Sequence, residues 1–339
     1  MKRRSLYFTA PRRAEIREEI MPPVGKDEVL CETILSAISP GTEMLVYRGQ
    51  APLDLAADET IAALEGGFGF PIKYGYAAVG RVTSLGAEVP AGWLHKTVFA
   101  FNPHESHFIS PVAALHPLPE GLAPEAAVFL PNMETAVSFL MDGRPVIGER
   151  VAVIGQGVVG LLTTALLSEI PLSALGAVDP LPLRQDWARR LGATVVAGPE
   201  DAPAVMSAFE GDHLLPGADL TYEISGNPRA LDLAVTLTGD YGRIVIGSWY
   251  GTKPVQVDLG GRFHRAHIRL IGTQVSALAA EWLGRWTKAR RLVVAWDMLR
   301  RYHPDRLITH TFPIERAPEA YRLLDENPAG AIQIVFRYS

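Results

Sequence analysis

The chain has 339 residues, of which 48% are hydrophobic, 20% charged and 8% aromatic, a composition typical of a globular protein with more than one domain. Its single cysteine, Cys31, excludes an internal disulfide framework and a four-cysteine zinc site, and favours a reducing, cytoplasmic location. The formal net charge of -5 at pH 7 argues against nucleic acid as the principal partner, because proteins that bind nucleic acid usually present a basic surface.

Neither the start of the chain nor its longest uncharged run is expected to enter a membrane. The first residues, MKRRSLYFTAPRRAEIREEI, carry charge where a signal peptide needs an apolar core. The uncharged run at 151–168 approaches the length of a membrane span, but it contains three glycines within its first ten residues. That spacing predicts a buried strand, a glycine turn and a helix.

The remaining pattern predicts two kinds of fold along the chain. Short β segments broken by Gly and Pro extend to about Pro119: EVLCETILSAI, AAVGRVTSLG, KTVFAFN and HFISPVAALHPLP. A helical pattern begins at Pro124, and strand-like runs then alternate with helix-like stretches from VAVIG to IRLIGTQVS. This alternation predicts right-handed βαβ units and a doubly wound parallel sheet, so the fold class is α/β. An amphipathic helix, the strand LITHTFPI, the helix APEAYRLLDEN and the strand AIQIVF complete the chain.

A glycine motif of the G-x-G-x-x-G type follows the first of these strand-like runs. Its members, which we predict to bind a dinucleotide, are Gly155, Gln156, Gly157, Val158, Val159 and Gly160. Gly155 would permit the tight turn, Gly157 the approach of a pyrophosphate, and Gly160 the close packing of helix on strand. The helix N-terminus would supply N–H groups and a positive dipole end to the phosphates.

An acidic residue strengthens this interpretation. Asp179 ends the next apolar run about twenty residues on, where an acid can bind the adenosine ribose. Because an acid repels the 2′-phosphate of NADP(H), NAD(H) is favoured as the cofactor. Arg184 has two possible roles: it is an exposed residue of the helix surface, or it allows that 2′-phosphate to bind. Ser225 and Gly247 lie where two later strand-like runs end, and are either neighbours of the cofactor or turn residues.

The order of these parts resembles the medium-chain dehydrogenase/reductase superfamily, the zinc alcohol dehydrogenase and quinone reductase group. The resemblance covers essentially the whole chain and is strongest in EVLCETILSAISPGTE, PIKYGYAAVGRV, VAVIGQGVVG and APEAYRLLDENPAGAIQIVF. It implies a GroES-like catalytic domain formed by residues 1–122 and 282–339, and a Rossmann domain at 123–281. It further implies hydride transfer with a small-molecule substrate, and a homodimer joined through the edge of the nucleotide sheet, for which GRFHRAHIRLIGTQVS is a candidate.

The zinc ligands of that superfamily are missing from the matching segments. The resemblance aligns the catalytic cysteine with Ser39, the Gly-His-Glu motif with Gly75, Tyr76 and Ala77, and a third ligand with about Pro131. Hydroxyl groups are not usual zinc ligands. The resemblance therefore implies the scaffold and hydride chemistry of the family without its catalytic zinc.

Another group must then hold the substrate oxygen and transfer its proton. Tyr76 and Ser39 take the positions of the missing ligands and are the first candidates, with Thr42 and His104 as further catalytic candidates. Tyr76 is alternatively a packing aromatic residue. Residues of second rank are Glu43, Tyr47 and Asn132, and Glu43 is expected rather to fix its loop by accepting backbone N–H bonds.

Three alternatives stay open. His104 and His107, with Glu105 between them, form the one compact cluster of His and acid residues in the sequence, and they either bind a metal, line a substrate pocket or are ordinary loop histidines. The alternatives to a zinc-independent oxidoreductase are a zinc alcohol dehydrogenase whose zinc ligands lie elsewhere in the chain, and a non-catalytic protein that binds a nucleotide as a sensor. Within the superfamily, SAISPGTE and VFAFNPHESHF look most like the bacteriochlorophyllide (hydroxyethyl-tetrapyrrole) dehydrogenase type, which implies a bulky apolar substrate.

Overall fold

A computed structural model describes residues 1–58, 60–64, 66–207, 209 and 217–338. The chain divides into two compact units, one formed by Met1–Pro131 with Leu299–Ser339 and the other by Asn132–Met298. These divisions differ from the predicted boundaries at 122/123 and 281/282. The second difference has a physical reason: Arg291, which precedes the division, makes a buried ion pair with Glu134 inside the second unit, with 2.8 Å between Nη2 and Oε1.

The first unit contains the β-rich part of the chain. Its elements before residue 131 are β1 (Lys2–Ala10), β2 (Arg13–Ile20), β3 (Glu28–Ala37), α1 (Pro40–Tyr47), β4 (Ala78–Leu85), β5 (Thr97–Ala100), β6 (His107–Pro111), β7 (Leu115–Pro117) and α2 (Pro124–Ala127). The helix α3 (Leu130–Gly143) begins at the boundary of the two units.

The second unit contains the alternating part. Its elements are β8 (Arg150–Ile154), α4 (Val158–Leu167), β9 (Ala174–Val178), α5 (Pro182–Arg190), β10 (Val195–Ala197), α6 (Ala202–Ser207), β11 (Ala218–Glu223), α7 (Ala230–Leu237), β12 (Thr238–Ile246), α8 (Arg262–Arg265) and β13 (Arg269–Gly272). The helix α9 (Lys288–Tyr302) spans the second boundary, and β14 (Ile308–Pro313), α10 (Ala317–Glu326) and β15 (Gln333–Arg337) complete the first unit.

A mixed sheet organises the first unit. Its strand order is β14-β15-β3-β4-β5-β7, with β6 also paired to β3, and the pairs are antiparallel except for β14 with β15. The C-terminal strands therefore join the N-terminal ones in one sheet, as the GroES-like prediction requires. Its apolar core includes Val29, Cys31, Val82, Val98 and Phe108, all nearly or fully buried.

A parallel sheet organises the second unit, in the order β10-β9-β8-β11-β12-β13. Alternate strand residues enter different apolar clusters: Val151 and Val153 in one, Ala152 and Ile154 in the other. Since successive strand side chains point to opposite faces, the sheet is covered on both faces, as expected for a doubly wound fold. The strand order is that of a dinucleotide-binding Rossmann fold, so the predicted α/β class is confirmed.

Three elements of the first unit were not predicted. The strands β1 and β2 form a hairpin in the charged N-terminal segment, and α1 (Pro40–Tyr47) begins in SPGTE, where a loop was expected. The signals for α1 were present, because Ser39 is its N-cap residue, Pro40 occupies the first turn and Glu43 is an acid near the N-terminus. In the part of the chain that is described, no helix is long and apolar enough to cross a membrane, and 151–168 forms β8, the glycine turn and α4.

Candidate active site

Strand pairing in the first unit brings residues that are distant in sequence together at one end of the sheet. Ser36 of β3 lies opposite Ala78 of β4, and the Ala37 N–H donates to the Ala77 carbonyl at 2.9 Å. The residue that follows β3 and the residue that precedes β4 therefore meet. This places Ser39 beside Tyr76, which are 37 residues apart in sequence.

Three hydroxyl groups form a cluster at this point. The Tyr76 hydroxyl donates to Ser39 Oγ at 2.5 Å and lies 3.2 Å from Thr42 Oγ1. Ser39 and Thr42 are held by the first turn of α1, where the Thr42 N–H donates to the Ser39 carbonyl at 3.1 Å. The structure therefore brings together three of the four predicted catalytic residues.

The environment of Tyr76 favours the neutral phenol. Burial raises the pKa of Tyr76 to about 12, although the hydrogen bonds with Ser39 and Thr42 lower it in part. Its ring also packs edge-on against Tyr74, with 6.2 Å between centroids. The residue as a whole keeps some exposure, and its hydroxyl is held in place by the bonds with Ser39 and Thr42.

His104 occupies a different position from the one predicted. Its side chain is 0% exposed, with Nε2 3.0 Å from Glu43 Oε2 and Nδ1 2.6 Å from Ser36 Oγ. Because both ring nitrogens are bonded to buried protein groups, the expectation that His104 faces a substrate is corrected. His107 lies 3.1 Å from Ser106 Oγ, and burial lowers its pKa.

The acids of this region also bond within the protein. Glu43 accepts the Ser39 N–H at 2.7 Å, the backbone bond expected of it, and Glu105 is paired with Arg3 at 3.1 Å and Lys73 at 2.7 Å. Among the described residues, no group of three or more His, Cys, Asp or Glu side chains is arranged to hold a metal ion. The cluster around Tyr76 offers hydroxyl oxygens, a donor set that does not fit zinc.

The other candidates of second rank are buried. Tyr47 is 4% exposed and stacks on Tyr321, with 5.4 Å between ring centroids, so it is a packing residue of the first unit. Asn132 is buried in the first turn of α3, in the second unit.

The glycines of the dinucleotide motif have separate geometric roles in the second unit. Gly155 has φ of 95°, and a Cβ atom there would lie 2.5 Å from Ser225 Cα. A Cβ atom on Gly160 would lie 1.9 Å from the Gly155 carbonyl oxygen, so α4 packs as closely on the turn as predicted. A Cβ atom on Gly157, in contrast, would enter open space at the N-terminus of the 10-residue helix α4. That space suits a pyrophosphate, since backbone N–H groups and the helix dipole are directed at it.

The remaining residues of the motif are mostly structural. Gln156 is fully buried, with Nε2 donating to the Val153 carbonyl at 3.2 Å and Oε1 accepting from Thr164 at 3.0 Å. Val158 is buried in α4, while Val159 is half-buried. These side chains hold the loop, and the backbone N–H groups of Gly155 and Gln156 are bonded to the Val178 carbonyl and to Asp179.

Asp179 follows β9 and anchors the neighbouring loop. Its Oδ2 accepts the Gln156 N–H at 2.7 Å, its Oδ1 accepts the Leu181 N–H at 2.9 Å, and Arg184 Nη1 lies 3.7 Å from Oδ2. The carboxylate is 2% exposed and is therefore a rigid acceptor beside the glycine loop. Its backbone bonds are a structural role that sequence spacing did not reveal.

Ser225 and Gly247 lie at the carboxyl ends of β11 and β12, as predicted. The Ser225 hydroxyl donates to Glu223 Oε1 at 2.5 Å, and the same carboxylate accepts the Tyr250 hydroxyl. A Cβ atom on Gly247 would lie 2.3 Å from the Phe139 ring, so close packing accounts for this glycine. Glu223, which ends β11, is itself fully buried.

Comparison with curated proteins identifies dehydrogenases. The chain is 27% identical over 238 residues to the uncharacterized zinc-type alcohol dehydrogenase-like protein YphC of Escherichia coli K12, a match covering 69% of this chain and 63% of that protein, which is less than two thirds of its length. It is 24% identical over 348 aligned positions to D-guloside 3-dehydrogenase of the same strain, covering 98% of this chain and 99% of the relative. No protein-family model matches the chain.

Solved structures with the same fold include proteins with bound nicotinamide cofactors. An alcohol dehydrogenase from Escherichia coli CFT073, complexed with NADH, has a TM-score of 0.77 at 19% identity and 99% coverage of both chains. A putative zinc-binding dehydrogenase from Sinorhizobium meliloti 1021, bound to NADP, has a TM-score of 0.77 at 16% identity and the same coverage. The sequence relatives named here are a dehydrogenase and an alcohol dehydrogenase-like protein, which confirms the resemblance to alcohol dehydrogenase-like proteins that the motifs predicted, and the solved structures share the fold of this chain.

Proposed function

We propose that this protein is a zinc-independent oxidoreductase that transfers hydride between NAD(H) and an alcohol or carbonyl substrate, with the Tyr76 hydroxyl as the proton-transferring group. The observation that carries the proposal is the cluster of Tyr76, Ser39 and Thr42, joined by hydrogen bonds of 2.5 and 3.2 Å, in a chain that also has a dinucleotide-binding fold.

The glycine loop and Asp179 are the proposed cofactor site. A bound nicotinamide dinucleotide would supply or accept the hydride. Gly157 leaves room for its pyrophosphate, and the N-terminus of α4 directs N–H groups to that room. The Asp179 carboxylate favours a ribose hydroxyl and repels a 2′-phosphate, so NAD(H) is the proposed cofactor, while Arg184 beside it moderates the repulsion.

Tyr76 is the proposed acid in carbonyl reduction. Its O–H bond breaks as the proton passes to the substrate oxygen, and the phenolate that remains accepts hydrogen bonds from Ser39 and Thr42. Proton transfer from solvent then restores the phenol. With a pKa of about 12, the group is protonated at neutral pH, which favours its action as an acid over its action as a base.

Zinc takes no part in this proposal. The three hydroxyl groups bond to one another and are not the Cys, His or carboxylate ligands that zinc selects. We infer that hydrogen bonding from Tyr76 polarises the substrate carbonyl in place of a metal ion. The nearby Glu43 carboxylate is saturated by its own protein donors, so the proposed site presents neutral polar groups and suits an uncharged substrate oxygen.

Three substrate classes are candidates. The sequence segments SAISPGTE and VFAFNPHESHF favour a hydroxyethyl tetrapyrrole, and the D-guloside 3-dehydrogenase relative favours a sugar-derived ketone. Activated alkenes form a third class, since their reduction also needs one hydride and one proton.

The deciding experiment measures turnover and metal content in one preparation. Oxidation of NADH and NADPH is followed with ketosugars, aliphatic ketones, enones and hydroxyethyl or acetyl tetrapyrroles, before and after treatment with a chelator. We expect turnover with NADH in one carbonyl class, unaffected by chelation, and much less than one zinc ion per chain. Loss of turnover on chelation, with recovery on adding zinc, would contradict zinc independence. Tight NADH binding without turnover in any class would favour a nucleotide sensor.

A further inference from the structure

A buried carboxylate lies directly behind the hydroxyl cluster. Glu43 is 0% exposed, its Oε1 accepts the Ser39 N–H at 2.7 Å, and its Oε2 accepts from the Tyr321 hydroxyl and from His104 Nε2 at 3.0 Å. A carboxylate without solvent depends on such donors, because each unmet bond in the interior is costly. Ser39, which holds the Tyr76 hydroxyl, is thus held by Glu43.

One assignment of donors satisfies every hydrogen bond around His104. Its Nδ1 lies 2.6 Å from Ser36 Oγ, which lies 2.7 Å from the Tyr338 hydroxyl. With the ring proton on Nε2, Tyr338 donates to Ser36, Ser36 donates to Nδ1, and Nε2 donates to Glu43, so each group has a matched partner. In this assignment the Nε2–H group is the donor to Glu43.

The same imidazole supports the backbone that carries Tyr76. A Cβ atom on Gly75 would lie 2.7 Å from both Cδ2 and Nε2 of His104, and Gly75 has φ of 119°. A residue with a side chain would therefore be strained there and would displace the ring. His104 contacts the site from two directions, through Gly75 in the segment that precedes β4 and through Glu43 on α1.

We propose that His104 and Glu43 are a positioning pair that holds Ser39 and the Gly75–Tyr76 segment in the geometry needed for proton transfer by Tyr76. The inference rests on the proposed function of Tyr76. Neither member of the pair touches the substrate. Without the Nε2–H donor, the buried Glu43 carboxylate loses one of its bonds and releases Ser39 as it rotates or takes up a proton.

Two substitutions of His104 separate positioning from simple packing. The side-chain nitrogen of Gln lies about where Nε2 does and can still donate to Glu43, while that of Asn lies about where Nδ1 does and reaches only Ser36. We expect His104→Asn to lower kcat for carbonyl reduction at least about tenfold with NADH affinity unchanged, and His104→Gln to remain within about threefold of the unsubstituted protein. A purely structural His104 would give equal kcat losses in the two variants, which would overturn the proposal.

A third variant decides the matter if the His104 variants do not fold. Tyr321→Phe removes one donor to Glu43 and preserves the ring, so it should lower kcat several-fold at unchanged NADH affinity. Tyr222→Phe is the matched control, because this fully buried tyrosine has a hydroxyl without a hydrogen-bond partner among the described residues. Unchanged kcat in Tyr321→Phe, or equal losses in both tyrosine variants, would refute the positioning role.

A background without the phenol distinguishes this inference from the proposed function. In Tyr76→Phe, the Asn and Gln variants of His104 should have the same residual kcat, because no hydroxyl remains to be positioned. If Tyr76→Phe alone retains full turnover, the proposed function fails. If Tyr76→Phe is impaired but His104→Asn and His104→Gln are alike in the presence of Tyr76, only the positioning pair fails.

Discussion

Removal of one oxygen atom tests the central chemical claim. Tyr76→Phe keeps the ring and its edge-on contact with Tyr74, but it deletes the donor that bonds to Ser39 at 2.5 Å and lies 3.2 Å from Thr42. We expect a large decrease in kcat, because the substrate oxygen loses its proton source, and little change in NADH affinity, because the proposed cofactor residues belong to the second unit.

The expected sizes of the two effects differ enough to be separated. A positioned general acid contributes about 10² to 10⁴ in rate, or about 3 to 5 kcal/mol of activation free energy. The two hydrogen bonds that are lost contribute about 1 to 3 kcal/mol to folding in total, at about 0.5 to 1.5 kcal/mol each. Since a domain is typically stable by about 5 to 15 kcal/mol, the variant should remain folded while its turnover falls.

The assay compares kcat at saturating NADH, the dissociation constant of NADH and the melting temperature in three proteins: the unsubstituted chain, Tyr76→Phe and the control Tyr222→Phe. A decrease of at least about 100-fold in kcat for Tyr76→Phe alone is the expected result. Equal kcat values in the unsubstituted chain and Tyr76→Phe would refute the reasoning and return Tyr76 to a packing role.

Three further predictions concern the cofactor and the proton. Gly157→Val should raise the NADH dissociation constant, measured by NADH fluorescence, at least about 100-fold, because the side chain fills the space at the N-terminus of α4. The control Gly92→Val, whose side chain also enters open space but in the first unit, should leave this constant unchanged. Unchanged NADH affinity in Gly157→Val would contradict the assignment of that space to the pyrophosphate. Asp179→Ser should lower the ratio of kcat/KM for NADH to kcat/KM for NADPH about tenfold. The control Asp186→Ser removes an exposed acid of α5 and should leave this ratio unchanged. An unchanged ratio in Asp179→Ser would contradict the proposal that Asp179 binds the ribose. Because the pKa of Tyr76 is about 12, the phenol stays protonated and kcat for carbonyl reduction should be nearly constant from about pH 6 to 10. Alcohol oxidation needs the phenolate, so kcat in that direction should rise about tenfold per pH unit over the same range. A rise in kcat that levels off near pH 7 would indicate another base.

Local patterns in the sequence were sufficient to predict the elements of the second unit. Each strand and helix of a βαβ unit is a short segment whose apolar residues and glycines determine its structure, so β8, the glycine turn and α4 were predicted at their observed places. The roles of Gly155 and Gly160 also follow from spacing, because both concern contacts between residues near in sequence or in adjacent strands. The predicted doubly wound sheet was accordingly confirmed.

The first unit was predictable only in part. The sequence by itself determined that one cysteine cannot supply a zinc site built from cysteines, and family motifs indicated Tyr76 and Ser39. Only the tertiary structure decided that Glu43 bonds with residues 61 and 278 positions away, namely His104 and Tyr321. The tertiary structure likewise decided that His104 is fully buried and bonded to the Glu43 carboxylate, and is not an exposed base. The physical reason is that burial and hydrogen-bond partners in this unit arise from pairing between remote strands and α1, contacts that local periodicity does not encode.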